Sequence, residues 1–328
     1  MGVAKKPVTA KAHTNIALVK YWGKLDETLI IPQNASLSIT LDEFYSTTSV
    51  LFDDALDADQ VTFDDQRLKA GQVTKISHFM DHVRQMAGIK SYAQIVTQNH
   101  VPTAAGLASS ASGFAALAGA ASTAAGLQLD RRALSRLARL GSGSATRSIF
   151  GGFAAWQQGH DDETSYGYPI DETPDWDIAI VAVILTTKKK SISSREGMRL
   201  SVNTSPFYPA WVETSRVDFE TVQKAITERD FETLGHTAEQ NAMRMHALTL
   251  SADPSFTYFN ADSLKTMQLV RELRLQGLQC YFTMDAGPNV KVICRNSDAD
   301  QIAKALQAVF GTANVRVTHP GPGITINK

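Results

Sequence analysis

An aspartate stands in a turn between two apolar runs near the end of the chain, in the segment 283–289, TMDAGPN. Turns favour aspartate for their own geometry. The same position also sets a carboxylate at the lip of a rigid sheet, where it can act as a general base. Asp285 is therefore either a turn residue or a base, and this segment alone leaves both interpretations open.

Three hydroxyl side chains and an arginine stand close together in the sequence between residues 142 and 147. They are Ser142, Ser144, Thr146 and Arg147. Arginine offers a planar fork that binds phosphate or carboxylate through two hydrogen bonds. The segment is therefore either an anion-binding loop or a Gly/Ser connector that carries one surface arginine.

Two lysines and a tyrosine fall within five residues at the end of a predicted strand: Lys20, Tyr21 and Lys24. Lysine is a compact point charge that suits a mobile diphosphate. Lysines at a strand edge can also simply extend their charged ends into water, so binding and solvation both stay open here. We interpret His13, in the same segment, as a structural histidine rather than a base.

A run of small residues, 102–112 (PTAAGLASSAS), leads into a predicted helix. Small side chains let an anion approach the backbone, and the N–H groups at a helix start point at it. The hydroxyls of Ser109 and Ser110 can add hydrogen bonds or hold a cation. The run is not the GxxxxGK[ST] P-loop, and an ordinary capped, tightly packed helix is the alternative. A basic segment, 188–195, is either a solvated loop or a mobile clamp for phosphate.

Strand and helix patterns occur in blocks rather than in strict alternation, which is typical of an α+β chain. Asp130 is predicted to cap a helix, and the arginines of 131–139 are expected to form a solvated face. A boundary near residue 185 divides the chain into two predicted domains, 1–185 and 186–328. The predicted strands are 8–20, 36–51, 91–97, 177–185, 279–284, 290–294, 314–318 and 323–327; the predicted helices are 72–88, 109–125, one after Asp130, 205–228, 230–249, 262–276 and 298–309; residues 159–176 are a predicted loop.

Composition disfavours several classes of protein. The 328 residues carry 32 basic and 33 acidic side chains, a net charge of −1, whereas a nucleic-acid binder is usually basic. No stretch approaches the ~20 apolar residues that span a bilayer, and the N-terminus lacks the apolar core of a signal peptide. Cys280 and Cys294 lie in apolar runs and are expected to be reduced core thiols. We expect a cytoplasmic protein that binds neither nucleic acid nor membrane.

Taken together, these segments resemble the bacterial mevalonate diphosphate decarboxylases of the galactokinase, homoserine kinase, mevalonate kinase and phosphomevalonate kinase superfamily. Residues 102–112 resemble the superfamily's phosphate loop, P-x-x-x-G-L-G-S-S-A, with Ala108 in place of one glycine. More specific matches are 13–24, 141–148, 193–198 and 281–290, so the resemblance spans nearly the whole chain. The TMDAGPN segment stands where small-molecule kinases of the superfamily carry a glycine-rich segment, which favours a decarboxylase over a kinase.

The resemblance implies a fold and a reaction. The fold would be α+β, with a ribosomal-protein-S5-like N-terminal domain, a ferredoxin-like C-terminal domain and the active site between them. ATP would phosphorylate the tertiary C3 hydroxyl of mevalonate 5-diphosphate, and loss of phosphate and CO₂ would give isopentenyl diphosphate and ADP. Mg²⁺ would accompany ATP, no organic cofactor would be needed, and the protein would be a homodimer.

The resemblance also implies roles for individual residues. The catalytic residues would be Asp285 as the base at the C3 hydroxyl, Arg147 at the substrate carboxylate and Lys20 beside Asp285. Ser109 would be a Mg²⁺ ligand. The predicted substrate-binding residues are Tyr21, Trp22, Gly23, Lys24, Ser142, Gly143, Ser144, Ala145, Thr146, Ser194 and Arg195. The predicted ATP-binding residues are Ala105, Gly106, Leu107, Ser109, Ser110, Lys75 and Lys190.

Three other functions stay open: a relative that only phosphorylates C3, a decarboxylase that acts on the monophosphate, and a non-catalytic ligand-sensing regulator. Asp285 and Arg147 both stand in matching motifs, which disfavours a relative that only phosphorylates. A regulator would be expected to have lost a catalytic group, and none of the expected groups is missing from the sequence.

Overall fold

Two long antiparallel strands, β1 (Val8–Val19) and β4 (Ser36–Asp53), form the centre of the first sheet. The computed structural model that shows them describes residues 2–101, 109–188 and 190–327. The first four side chains of β1 alternate between buried and partly exposed, whereas the last eight are all buried. This change is expected where a strand enters a core that covers both of its faces. The buried end of β1 leads directly to Lys20.

The small residues of the sequence form a helix that packs directly on β1 and β4. This helix, α2 (Ser109–Ala124), approaches the strands so closely that a Cβ at Gly119 would lie 2.6 Å from Ile324. In the described residues, eight strands form the first sheet and β2 and β3 form a separate hairpin. The other elements of this part are β2 (Lys24–Asp26), β3 (Ile31–Pro32), β5 (Gln60–Phe63), β6 (Gln66–Arg67), α1 (Ala70–Ala87), β7 (Tyr92–His100), α3 (Arg131–Gly141), a 3₁₀ helix (Gly143–Ile149), β8 (Phe153–Trp156) and β9 (Gly167–Asp171).

A second, antiparallel sheet takes its strands from 179–183 and from the last 50 residues. Its described strands lie in the order β11–β12–β10–β13. The elements are β10 (Ala179–Val183), α4 (Ser194–Thr204), α5 (Tyr208–Glu228), α6 (Phe231–Leu250), α7 (Ala261–Leu275), β11 (Cys280–Met284), β12 (Val290–Cys294), α8 (Asn296–Phe310), a short 3₁₀ turn (Thr312–Asn314) and β13 (Val315–Thr318); a final strand, β14 (Thr325–Asn327), pairs with β1.

One apolar cluster joins the two sheets. It contains Leu18 of β1 and Ile39 of β4 together with Ile180 of β10 and Tyr281 of β11. Helices α5 and α6 contribute further members, whereas α7 and α8 cover the opposite face of the second sheet. Because this cluster is shared, the end of β11 is held close to the end of β1, and these two ends carry Asp285 and Lys20.

The predicted α+β class is confirmed, and most predicted elements lie within a few residues of the observed ones. The predicted loop 159–176 contains β9, which pairs with β8, and α4 was not predicted. Arg139 was expected on a solvated face but is 0% exposed. The division at residue 185 stays a prediction, because β10 lies before that residue yet pairs with strands of the second sheet. No helix in the described ranges is long and apolar enough to cross a membrane.

Candidate active site

The carboxylate of Asp285 lies between two lysines, in the turn that connects β11 to β12. Lys20 Nζ is 2.9 Å from Oδ1, and Lys291 Nζ is 3.4 Å from Oδ2. Burial alone would raise the pKa of this carboxyl group, but Lys20 and then Lys291 lower it to about 2. Asp285 is therefore ionised near neutral pH, and a quarter of its side chain is still exposed.

Lys20 is fixed by its backbone as well as by its side chain. Its N–H donates to Asn241 Oδ1 at 2.8 Å, and its carbonyl accepts from Asn34 Nδ2 at 2.8 Å. Its Nζ also donates to the carbonyl of Ala17 at 2.6 Å. Lys20 is 1% exposed; burial lowers its pKa, and the charge of Asp285 acts in the opposite direction. Movement of this ammonium would break its hydrogen bonds to the Ala17 carbonyl and to Asp285 Oδ1.

Arg147 lies in the 3₁₀ helix and is 2% exposed. Its Nη1 donates to the Ser36 hydroxyl, and its Nη2 donates to Asn15 Oδ1 at 3.2 Å. Its Nε has no hydrogen-bond partner among the described residues. Burial lowers the pKa of the guanidinium to about 10, so it is still charged at neutral pH. A buried cation bound to neutral groups, with a spare donor, is suited to hold an anionic ligand.

Serines from the two predicted binding segments meet at the start of α2. Ser142 Oγ lies 3.2 Å from Ser144 Oγ and 3.4 Å from Ser110 Oγ. Ser110 is in the first turn of α2, where backbone N–H groups have no partner within the helix. The predicted ATP-binding and substrate-binding serines are thus adjacent, as phosphoryl transfer between two bound molecules requires.

Gly143 allows a close contact behind these serines. A Cβ at this position would lie 2.8 Å from the Tyr21 ring and 2.7 Å from the Trp156 ring. The two rings meet edge to face, with their centroids 4.7 Å apart. Burial raises the pKa of Tyr21, so its hydroxyl stays protonated and can donate a hydrogen bond.

A second group of cations consists of Lys24, Lys75 and Arg195, which we call the cationic rim. Loss of hydration lowers the pKa of Lys75 to about 8, and the charges of Arg195 and Lys24 contribute to that shift. Lys75 Nζ also lies 4.3 Å from the centroid of the Phe114 ring. Lys24 pairs with Glu27, so the rim and this carboxylate together keep a net positive charge.

Lys190 connects the segment before α4 to the turn that carries Asp285. Its Nζ donates to Ser194 Oγ at 2.6 Å and to the carbonyl of Ala286 at 2.8 Å. Burial lowers the pKa of Lys190, while Asp285 acts in the opposite direction. The predicted residues Lys190 and Ser194 thus lie beside the proposed base.

Four other predicted residues lie behind the exposed surface. Trp22 is 1% exposed and packs with Tyr208. Gly23 has a φ of +111°, and a Cβ there would overlap the Tyr208 hydroxyl. Ala145 and Thr146 are buried, and Thr146 Oγ1 donates to the carbonyl of Gly143 at 2.7 Å. Their contact with substrate stays a prediction. Three predicted ATP-binding residues lie outside the described residues: Ala105, Gly106 and Leu107.

Ser109, the predicted Mg²⁺ ligand, is the first residue of α2 and is exposed. Its hydroxyl is an oxygen donor, the type of ligand that Mg²⁺ prefers. Within the ranges that the structure describes, no three His, Cys, Asp or Glu side chains form a metal-binding group. Because Mg²⁺ often binds through substrate phosphates and one or two protein oxygens, these residues fit a metal ion that arrives with a nucleotide.

Both parts of the chain match models of one protein family. Residues 12–167 match the diphosphomevalonate decarboxylase-like N-terminal domain, and residues 179–321 match the mevalonate 5-diphosphate decarboxylase C-terminal domain. A diphosphomevalonate decarboxylase of Ganoderma lucidum is 35% identical over 329 residues, which cover 93% of this chain and 82% of that protein. The chain belongs to the diphosphomevalonate decarboxylase family.

Solved structures agree with this membership. Mevalonate diphosphate decarboxylase from Staphylococcus aureus is 47% identical, with a TM-score of 0.95 and coverage of 98% of both chains. A complex of MDDEF with MVAPP, AMPPCP and magnesium is also 47% identical, with a TM-score of 0.94 and coverage of 98% of this chain and 99% of that one. The family and the two-domain fold predicted from the sequence are therefore confirmed.

Two residues of the candidate site, Lys291 and Asn15, were not predicted, although each is a polar residue inside an apolar strand. Lys291 stands in β12, whose five residues are all buried. Asn15 stands in the buried half of β1 and donates to the Ser144 carbonyl at 3.0 Å and to Ser148 Oγ at 2.8 Å. A lysine or asparagine buried in an apolar strand is costly unless it has a partner. The sequence pattern therefore indicates that each of these residues has a buried polar partner.

Two further residues carried no such signal because they belong to a helix. Asn241 of α6 holds the backbone of Lys20, as described above. His246 of the same helix is 1% exposed, and burial, followed by the charge of Lys20, lowers its pKa to about 3. His246 is therefore neutral near pH 7 and adds no positive charge beside the two lysines.

Proposed function

We propose that this protein catalyses the ATP-dependent decarboxylation of mevalonate 5-diphosphate to isopentenyl diphosphate, ADP, phosphate and CO₂. Membership of the family and the complex of a close relative with MVAPP, AMPPCP and magnesium support this reaction. The observation that carries the proposal is the ionised carboxylate of Asp285, held by Lys20 and Lys291 in the same buried site as the under-paired Arg147.

Asp285 would accept the proton of the C3 hydroxyl as that oxygen attacks the terminal phosphorus of ATP. A positioned carboxylate contributes about 10²–10⁴-fold to such a step. The C3–O bond then breaks, and the phosphate leaves with its electron pair. The electrons of the C1–C2 bond form the new C2=C3 double bond, and C1 leaves as CO₂. Before the C3–O bond breaks, Asp285 would release the accepted proton to solvent through the exposed quarter of its side chain. The carboxylate that this restores would stabilise the positive charge that develops at C3.

Arg147 would bind the carboxylate that becomes CO₂. The described neighbours that accept its hydrogen bonds, Ser36 and Asn15, are both neutral. Lys20, Lys291 and Arg147 together exceed the single negative charge of Asp285. A substrate carboxylate would balance part of that excess and would be oriented by the planar guanidinium.

Lys24 and Arg195 of the cationic rim, together with the hydroxyls beside them, would bind the substrate's diphosphate. Lys24 and Arg195 supply charge, while Ser142, Ser144, Ser194 and the protonated Tyr21 supply hydrogen-bond donors at the surface or close to it. Phosphate binding by several point charges and hydroxyls tolerates small movements of the ligand. The diphosphate would thereby anchor the substrate with C3 near Asp285.

ATP would bind where α2 begins. Ser109 and Ser110 offer hydroxyls and backbone N–H groups that have no partner within the helix, and the helix dipole favours a phosphate there. Lys190 and Lys75 would neutralise phosphate charge. Ser109 would hold Mg²⁺ together with the ATP phosphates, and the ion would supply neutralisation of phosphate charge. Phosphoryl transfer depends mainly on positioning and charge neutralisation, which these groups provide.

We also propose a homodimer. Leu264 and Leu275 of α7 are 55% and 88% exposed, and Val309 of α8 is 39% exposed. Large apolar side chains exposed on neighbouring helices favour contact with another protein surface. Light scattering coupled to size-exclusion chromatography measures the mass, and we expect Leu275→Glu to shift a dimer towards the monomer. An unchanged monomer in both proteins would contradict the proposal.

We propose a cytoplasmic location without nucleic-acid or membrane partners. Cys280 and Cys294 lie opposite each other on paired strands and are free thiols. Facing cysteines that stay reduced are typical of a reducing compartment, and the net charge of −1 gives no general attraction to polyanions. Cell fractionation measures the location, and recovery in a membrane fraction would contradict it.

The experiment that tests the function follows ADP and CO₂ together. The purified chain is incubated with ATP, Mg²⁺ and mevalonate 5-diphosphate labelled at C1. We expect ADP and CO₂ in equal amounts. ADP without CO₂ would indicate an enzyme that only phosphorylates C3. If neither ADP nor CO₂ were released, the proposal would be refuted. Incubation with mevalonate 5-phosphate would then test for a decarboxylase that acts on the monophosphate.

A further inference from the structure

Lys291 is a buried lysine to which no binding or catalytic role has been assigned. It lies in the middle of β12 and is 1% exposed, yet its Nζ is 3.4 Å from Asp285 Oδ2 and 3.3 Å from the carbonyl of Asn289. Transfer of an ammonium into a protein interior is costly unless it is paired. Its burial against a carboxylate at the proposed active site therefore needs a reason.

The sheet makes room for this side chain. The residues opposite Lys291 are Ala182 on β10 and Thr283 on β11, both of which are small. Ala182 belongs to the apolar cluster that the second sheet shares with β1, so Lys291 lies on the face that points towards the first sheet. The register thus directs a long, charged side chain along the sheet and towards the turn that holds Asp285.

The two lysines contact different oxygens of the Asp285 carboxylate. Lys20, at the end of β1, contacts Oδ1, and Lys291, on β12, contacts Oδ2. Oδ2 is inaccessible to solvent, so the exposed quarter of the Asp285 side chain belongs to its other atoms. Contacts on both oxygens, from two parts of the fold, restrict rotation of the carboxylate about the bond to Cβ.

The other groups around the carboxylate do not replace either lysine. Arg147 and Lys190 also act on Asp285 through space, but neither forms an ion pair with it among the described residues. His246 of α6 is neutral near pH 7. Lys20 and Lys291 are therefore the cations in direct contact with Asp285 in the described chain.

We propose that Lys291 is a positioning residue for the reaction, which holds the buried Oδ2 of Asp285 while Lys20 holds Oδ1. This inference rests on the proposed function, because it assigns a partner to the proposed base. In this role Lys291 acts through Asp285 and does not contact the substrate. Its loss would leave the carboxylate free to rotate and would remove one of the two charges that favour the ionised form.

The test compares Lys291→Met with Lys291→Arg, and with Lys304→Met as a matched control on the exposed surface of α8. An opposite charge in contact lowers a carboxyl pKa by about 1–3 units. We therefore expect Lys291→Met to move the acid limb of the kcat/KM profile upwards by about that amount, since this limb reports the free enzyme's base. The kcat at neutral pH should fall at least tenfold, with little change in the KM for ATP. Lys291→Arg should restore the profile, and Lys304→Met should match the wild type.

A readout independent of turnover is the infrared carboxylate band of Asp285, identified by its absence in Asp285→Asn. We expect this band to lose intensity at a higher pH in Lys291→Met than in the wild type. If Lys291→Met does not fold, Lys291→Gln, which keeps a hydrogen-bond donor, should show the same shift. A wild-type profile and kcat in the folded neutral variant would overturn the inference, as would a loss of thermal stability with an unchanged profile. A wild-type protein that releases no CO₂ would instead refute the proposed function.

Discussion

Two buried arginines of this protein have very different surroundings. Arg139 is 0% exposed, and its donors bind the carbonyls of Leu29 and Ser165 and the carboxylate of Asp162. Arg147 is 2% exposed, but its described partners are neutral side chains and its Nε has none. Full pairing indicates an arginine that stabilises the fold. Incomplete pairing at similar burial indicates an arginine that is available to bind an anionic ligand.

The same contrast applies to the regions around the two arginines. Arg139 lies on α3 and contacts the segment that follows β8, where Asp162 also pairs with Arg136. Arg147 lies near Asp285, where the positive charges exceed the negative ones. Excess charge in a buried region lowers stability, and binding of an anion would recover part of that cost. Incomplete charge pairing, rather than burial or residue type, therefore distinguishes the candidate site.

The largest expected effect is at the proposed base. Asp285→Asn keeps the shape of the side chain but cannot accept the proton, so we expect kcat to fall by about 10²–10⁴-fold. ATP affinity, measured by the fluorescence of a bound nucleotide analogue, should stay within a few-fold of the wild type. Asp300→Asn, at an exposed position of α8, is the matched control. Full turnover by Asp285→Asn would remove this residue from the catalytic role.

The next effect concerns stability at the fully paired arginine. Arg139→Met leaves the buried carbonyl of Ser165 and the partly buried carbonyl of Leu29 without this donor. An unsatisfied buried group costs about 1–3 kcal/mol. Urea unfolding should therefore show a clear loss of stability. Arg131→Met removes a half-exposed ion pair with Glu172 and should cost no more than ~1 kcal/mol. Equal stability of the two variants would contradict the assignment of Arg139 to the fold.

The smallest effect is at the cationic rim and depends on pH. The pKa of Lys75 is lowered to about 8, so this side chain loses its charge as the pH rises through 8. The phosphates of ATP favour the charged form of Lys75. We therefore expect the KM for ATP to rise by about fivefold between pH 7 and pH 9, equivalent to an ion contact of ~1 kcal/mol. Lys75→Arg keeps its charge in this range and should abolish the rise. The same rise in Lys75→Arg would assign the titration to another group.

The residues that we propose as catalytic could be selected from the sequence because each belongs to a segment with an unusual local pattern. Asp285 stands in a turn between apolar strands, Arg147 stands among hydroxyls and glycines, and Lys20 ends a strand. The resemblance to a family then placed these segments in one site. The fold class followed in the same way, since strand and helix periodicities are local properties of the sequence.

The contacts of other residues could not be predicted, because they cross long stretches of chain. Asn241 is 221 residues from Lys20, and its Oδ1 accepts a hydrogen bond from the Lys20 N–H. Arg139 was expected to be solvated because its helix is rich in arginine, and its actual partners lie 23 to 110 residues away. The segment 159–176 was predicted as a loop from its polar composition, yet β9 forms there because β8 offers a free edge. Tertiary contacts of this kind leave no periodic pattern in the sequence.

The most direct test of the central contrast measures Arg147→Met and Arg139→Met side by side. For each variant, urea unfolding gives the stability, and the release of CO₂ gives kcat/KM per folded molecule. We expect Arg147→Met to lose at least 100-fold in kcat/KM, equivalent to about 2.7 kcal/mol, while its stability is equal to or higher than that of the wild type. Arg139→Met should lose stability and keep its kcat/KM. An Arg147→Met variant that is destabilised but keeps its kcat/KM would contradict the account.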